Sequence, residues 1–227
     1  MRGFTWSFSK LKNFQTCPKR HYEVDLAKNF IESSENLTWG NTVHDALAKA
    51  CTGAAPLPAT MSEYQKWVNT ALKAKAAGWE VRTEQKYALT RDLLPCPYFD
   101  KDKSKPLVWY RGIGDILLLL PPFAMIWDWK TGKPNTDSNQ LMLMAQCVMS
   151  HHPDISVVDT AFIWLQHQCS SEERYTREQL RDEWVGLLPR VGAMEEAART
   201  QSYPPKPNRF CGRWCPVTSC PHHGKSY

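Results

Sequence analysis

The stretch Gly112-Ile113-Gly114-Asp115-Ile116-Leu117-Leu118-Leu119-Leu120, followed by Pro121-Pro122 and Phe123-Ala124-Met125-Ile126-Trp127-Asp128-Trp129-Lys130, decides the fold. Two apolar runs of strand length flank a proline pair, which predicts a hairpin of residues 115–120 and 124–130. Side chains two apart share a strand face, so Asp128 and Lys130 point one way and Trp129 the other. With the turn centred on Pro121-Pro122, antiparallel pairing sets Asp115 opposite Asp128, Cβ atoms roughly 4.5–5.5 Å apart. A one-residue slip would send the two acids to opposite faces. Carboxylates that close repel unless one is protonated or a cation lies between them. Hard oxygen ligands of this kind suit magnesium or manganese.

Working outward, residues 7–24 read as a short basic helix interrupted at Cys17-Pro18, with Pro18 in the first turn of the second piece. Asn41 is expected to cap a helix carrying Val43, Ala46, Leu47 and Ala50 on one face. A helix over 62–77 is closed by Gly78. Residues 79–90 read as a strand with Trp79, Val81, Thr83, Gln85, Tyr87 and Leu89 on one face, and Glu80, Arg82, Glu84 and Lys86 on the other. A basic loop follows over 93–105, with Lys101, Lys103 and Lys105, then a strand over 107–112. Further on come a helix at 137–150, a strand at 157–166, a helix at 176–200 kinked at Pro189, and a loop-like tail from residue 201. The class is α/β, a small mixed sheet flanked by helices. A length of 227 residues predicts one domain over 1–227.

Composition fits a globular chain: 42% hydrophobic and 22% charged residues, with a net charge of +5 that mildly favours an anionic partner. No apolar segment is long enough to span a bilayer, and the first ten residues lack the apolar core of a signal peptide. The expectation is an intracellular, cytoplasmic protein in a bacterial or phage-infected cell. In that compartment clustered thiols bind metal more often than they pair. Cys17 stands near the start, and Cys211, Cys215 and Cys220 crowd the tail. Together they offer four soft ligands, suited to an iron–sulfur cluster or zinc. With zinc, His222 or His223 could replace a cysteine. Such a centre would join residues 1–30 to 201–227, and Cys51, Cys96, Cys147 and Cys169 read as ordinary buried thiols.

Gly112-Ile113-Gly114-Asp115 and Asp128-Trp129-Lys130-Thr131-Gly132 resemble the signature of PD-(D/E)XK nucleases of the RecB type, which share a restriction-endonuclease-like core. Trp39-Gly40-Asn41-Thr42-Val43-His44 is similar to that family's histidine-bearing helix. Gln140-Leu141-Met142-Leu143-Met144-Ala145 is similar to its Gln-Leu-x-x-Tyr-Ala helix, with Met144 where tyrosine is usual. The Cys17-Pro18 segment resembles the iron–sulfur branch, which includes AddB and the CRISPR-associated adaptation exonucleases. The C-terminal spacing here is Cys-x3-Cys-x4-Cys where that branch commonly has Cys-x2-Cys-x5-Cys.

The resemblance implies that His44, Asp115, Asp128 and the backbone carbonyl of Trp129 bind the catalytic metal, magnesium or manganese. Lys130 would position water and stabilise developing phosphate charge, with Glu84 and Gln140 in support. Cys17, Cys211, Cys215 and Cys220 would hold a structural 4Fe–4S cluster. Lys10, Lys19, Arg20 and Arg213, gathered by that centre, would face DNA phosphates. The function implied is a DNA exonuclease that makes single-stranded tails for recombination or repair, acting on single-stranded or free-ended DNA. Absence of a motor suggests a free-standing or virus-encoded version that works with a single-strand annealing or recombination protein. The alternatives are a catalytically silent DNA- or protein-binding module on the same fold and a nuclease of CRISPR adaptation.

Overall fold

The computed structural model describes residues 3–31, 35–99, 107–134 and 139–227. In chain order the helices are α1 (Phe8–Thr16), α2 (Pro18–His21), α3 (Glu35–Thr52), α4 (Gln65–Ala76), α5 (Asn139–His151) and α6 (Arg177–Thr200). The strands are β1 (Glu80–Leu89), β2 (Pro95–Cys96), β3 (Tyr110–Leu120), β4 (Phe123–Lys130), β5 (Val157–Trp164) and β6 (Cys169–Thr176). The chain divides into two compact units, Met1–Thr5 with Glu35–Glu183, and Trp6–Ser34 with Trp184–Tyr227.

The first unit is built on a six-stranded mixed sheet in the order β2-β1-β3-β4-β5-β6. Only β4 and β5 run parallel, and α5 supplies the crossover that a parallel pair needs. One face of the sheet packs on α3 and α4. There Val43, Leu47, Val68 and Ala71 meet Ile116, Leu118, Trp127, Trp129 and Ile163. The other face takes α5, whose residues Leu141 to Ala145 are all buried. A helix apolar on nearly every side is one enclosed by its surroundings.

The hairpin pairs in the expected register, Ile116 with Trp127 through to Leu120 with Phe123. Residues 107–112 and 115–120 do not form separate strands. β3 runs unbroken through Gly112 and Gly114, because those glycines admit a close neighbour. A Cβ on Gly112 would lie 2.8 Å from Met144 Sδ, and one on Gly114 3.0 Å from Met144 Cε.

Strand alternation inverts at one position. Ile116 and Leu118 join the α3/α4 core, yet Gly112 and Gly114, of the same parity, face Met144 of α5. The inversion falls at Asp115. On β1, Val81 packs against the α3/α4 core while Tyr87 stacks on His151 of α5, ring centroids 4.8 Å apart. Between them lies Glu84, in the left-handed region at φ 51°. The ladder pairs Thr83 with Ile116 and Gln85 with Gly114, leaving Glu84 and Asp115 as the unpaired step. A left-handed residue turns the strand over, so the expected single-faced alternation of 79–90 does not hold.

Other differences have simple causes. Helix α3 starts at Glu35, so Asn41 lies inside it and caps nothing. Its first turns are exposed and carry no apolar period. Strand β6 reads Cys-Ser-Ser-Glu-Glu-Arg-Tyr-Thr, an edge strand without alternation, and escapes pattern reading. Residues 100–105 of the expected basic loop, and 137–138 of the expected helix, lie outside the described residues.

In the second unit, Ser7 caps α1, its side chain accepting from the Lys10 N–H. Cys17 is extended and Pro18 opens α2, which continues as a π-helical turn over Tyr22–Leu26. Pro189 sits within α6.

Candidate metal and catalytic site

Three elements of the first unit converge at the inversion point. His44 from α3, Glu84 from β1 and Asp115 from β3 each offer a ligand atom, all within 4.8 Å of one another. The Asp115 carboxylate is held by its own hairpin, Oδ2 accepting from the Trp129 N–H at 2.8 Å. His44 Nδ1 lies 3.3 Å from the same oxygen. The regular ladder stops at Ile116–Trp127, one step short of Asp115–Asp128.

Asp128, 4% exposed, belongs to a closed triangle beside this group. Its Oδ1 accepts from Gln140 Nε2 at 2.6 Å. Its Oδ2 is ion-paired with Lys130 Nζ. Lys130 Nζ donates to Gln140 Oε1 at 3.0 Å, closing the ring. Under the ammonium lies the Phe162 ring, 4.9 Å to its centroid, contributed by β5, where Phe162 pairs with Asp128. Lys130 therefore has few orientations open to it.

Electrostatics agree with a cation site. Burial pushes the Asp128 carboxyl up to about 6; Lys130 opposes this and the neighbouring Asp115 adds to it. Burial raises Glu84 as well, with the Asp115 charge reinforcing the shift. For His44, burial acts to lower the pKa, but the hydrogen bond and charge of Asp115, with Asp128 and Glu84, leave it raised. Acids made reluctant to ionise and a histidine made basic by them are the signature of crowded negative charge, which a divalent cation would neutralise. The donor set, one imidazole and carboxylate oxygens, fits such an ion.

All the first-unit residues singled out from the sequence thus meet here, in two groups. His44, Glu84 and Asp115 form the ligand cluster, with Trp129 beside it through its backbone. Asp128, Lys130 and Gln140 form the triangle. Glu84 stands inside the ligand cluster, a place its reading as a polar-face acid did not foresee. Phe162 was missed, since nothing local marks a residue that gains its role from parallel pairing.

In the second unit Cys17, Cys211, Cys215 and Cys220 line one cavity with Lys19, Arg20 and Lys206, while Lys10 and Arg213 are not among its lining residues. Backbone N–H groups of Lys206 and Asn208 point at Cys17 Sγ and Cys211 Sγ, at 3.3 and 3.4 Å. Burial raises the Cys215 thiol, and nearby Cys17 and Cys211 raise it further against the Val217 N–H and Arg20. Lys19 is paired with Glu23 at 3.1 Å and Arg20 with Asn13, so both are already engaged.

The first-unit geometry defines a class, a carboxylate–lysine site for a divalent cation on a mixed α/β sheet. Residues 5–221 match the PD-(D/E)XK nuclease superfamily, and the chain belongs to it. Membership implies metal-dependent phosphodiester hydrolysis, with DNA as substrate. Comparison with curated proteins yields no match. Among solved structures, the chain is similar to the crystal structure of SSO0001, at 11% identity and a TM-score of 0.46, covering 98% of this chain and 88% of that one. Among the described residues, no helix is long and apolar enough to cross a membrane.

Proposed function

We propose that this protein is a magnesium- or manganese-dependent DNA exonuclease of the RecB type, making single-stranded tails in recombination or repair. One observation carries the hydrolytic reading: the closed Asp128–Lys130–Gln140 triangle set against the His44–Glu84–Asp115 ligand cluster. A silent binding module has no need to hold a lysine and a buried carboxylate in that geometry. A divalent cation held there would lower the pKa of water and polarise the phosphodiester.

The chain's own residues do the rest. Asp115, fixed by the Trp129 N–H, and His44 and Glu84 present the ligand atoms, with Asp128 and the Trp129 carbonyl completing the set. Gln140 holds Asp128 and Lys130 in register. Lys130, supported on Phe162, orients the attacking water and offsets charge growing on the phosphate oxygens. Preference for free ends, an annealing or recombination partner, and a cytoplasmic, phage-related setting rest on the resemblance to RecB-type enzymes.

The cysteine cavity supports a 4Fe–4S cluster that staples Cys17 to the tail. The four cysteines all line that cavity, and their one-plus-three distribution along the chain resembles that of the iron–sulfur nucleases, which favours the cluster over zinc. The test of the hydrolytic reading is digestion of end-labelled linear and closed circular single-stranded DNA by wild type and Asp128→Ala. Metal-dependent loss of linear DNA is expected only with wild type. Equal rates for the two proteins would remove the active-site assignment, and rapid cutting of circles would replace exonuclease with endonuclease.

A further inference from the structure

Over side chains of the two strands that carry Glu84 and Asp115 lies an aromatic pair, one ring exposed and one half-buried, that the hydrolytic chemistry does not use. Tyr98 and Phe99 follow β2 and meet edge to face, centroids 5.0 Å apart at 83°. Lys86 Nζ lies 5.8 Å from the Tyr98 centroid and 6.0 Å from that of Phe99. Arg111 lies 5.4 and 5.8 Å from the same two rings. Phe99 is nevertheless 65% exposed. A lone surface phenylalanine is ordinary. One braced by a second ring, with two cations over both, is an oriented apolar face set in positive charge.

Its place on the sheet gives it a substrate. Lys86 pairs with Ile113, and Ala88 with Arg111, along β1 and β3. Tyr87 faces α5, so Lys86 points to the opposite face, the one carrying α3 and its His44. Lys86 is two residues from Glu84 and Ile113 two from Asp115, roughly 7 Å at a rise of about 3.4 Å per residue. The strand backbone beside the pair's cations thus lies roughly 7 Å from that of the ligand residues, which sets the pair on the path of a strand bound at the site.

We propose that Tyr98 and Phe99, with Lys86 and Arg111, form a platform on which an unpaired base of a DNA strand stacks, its phosphate held by the two cations. The platform would select single-stranded over paired DNA, because a base within a duplex offers no free face. This rests on the nuclease reading of the adjacent site and deepens it. Stacking on aromatic side chains and phosphate contact from cations are the two ingredients of sequence-tolerant single-strand binding.

The experiment measures anisotropy of a short fluorescein-labelled single strand, without divalent metal, alongside cleavage in its presence. Wild type, Phe99→Ala and Phe99→Trp are compared on intact strands and on strands with one abasic nucleotide moved stepwise along them. Phe99→Ala should bind roughly 5- to 150-fold more weakly, the range for losing one stacked base, and Phe99→Trp should bind like wild type. An abasic site at one position should weaken wild type comparably and Phe99→Ala no further. Equal sensitivity of both proteins to the abasic site, unchanged binding by Phe99→Ala, or no binding by wild type would overturn the platform. Thermal melting identifies a merely structural cluster: a lowered midpoint for Phe99→Ala with base dependence intact counts against the proposal. Base-dependent binding without cleavage would refute the nuclease reading and leave the platform standing.

Discussion

Replacing Asp128 by asparagine should stabilise the metal-free protein while abolishing its activity. The buried carboxyl titrates at about 6 in the folded chain against an ordinary 3.8. Between those values the folded form keeps a proton that the unfolded chain has released. Stability therefore falls as pH rises through this window and has lost the full amount above it. Two pH units at about 1.4 kcal/mol each make the cost of ionising Asp128 roughly 3 kcal/mol at neutral pH. Asparagine carries no such cost and can still accept from Gln140. Lys130 keeps Gln140 Oε1 and the Phe162 ring and reaches solvent, its side chain 27% exposed. In chelator, Asp128→Asn should melt roughly 5–10 °C above wild type at pH 8, and at the same temperature at pH 3.5 and below. Adding magnesium or manganese should raise the wild-type midpoint more than that of the variant, which keeps His44, Glu84 and Asp115 but has lost one carboxylate. A variant no more stable than wild type at pH 8, or a difference that ignores pH, would show that Asp128 is not the strained carboxylate described.

Cleavage should follow the same group. The rate at limiting metal should climb with pH up to about 6 and then level, as Asp128 ionises, and a stopped assay at several pH values reads this directly. Lys130→Ala should lower kcat by at least about 100-fold, the scale for losing one transition-state charge partner, and DNA binding by anisotropy should persist. Gly112→Ala should destabilise by about 1–3 kcal/mol through its clash with Met144 and the Tyr110 ring, and chemical denaturation should show Met144→Ala relieving only part of it. Anaerobic Cys17→Ser should lose absorbance near ~400 nm along with solubility, whereas Cys169→Ser, exposed, should retain both. A colourless wild type with one zinc per chain would move the cavity to the zinc class.

The sequence by itself determined what depends on short range. A proline pair between two apolar runs sets the hairpin and its register, and that register, carried one step beyond Ile116–Trp127, brings Asp115 near Asp128. Local spacing also links Cys17-Pro18 and three tail cysteines as candidate ligands. The tertiary structure decided everything that depends on which elements meet. The strand inversion at Glu84 and Asp115 arises from one left-handed residue and is invisible to periodicity. It carries Glu84 to His44 and Asp115, three residues from three separate elements. Parallel pairing brings Phe162 beneath Lys130, and the crossover helix brings Gln140 to Asp128. The fold of Gly112 and Gly114 against Met144 explains why β3 needs glycine there. Linear spacing encodes a side chain's face within one element. Contacts between elements follow from packing the sheet and helices together, and there the site is made.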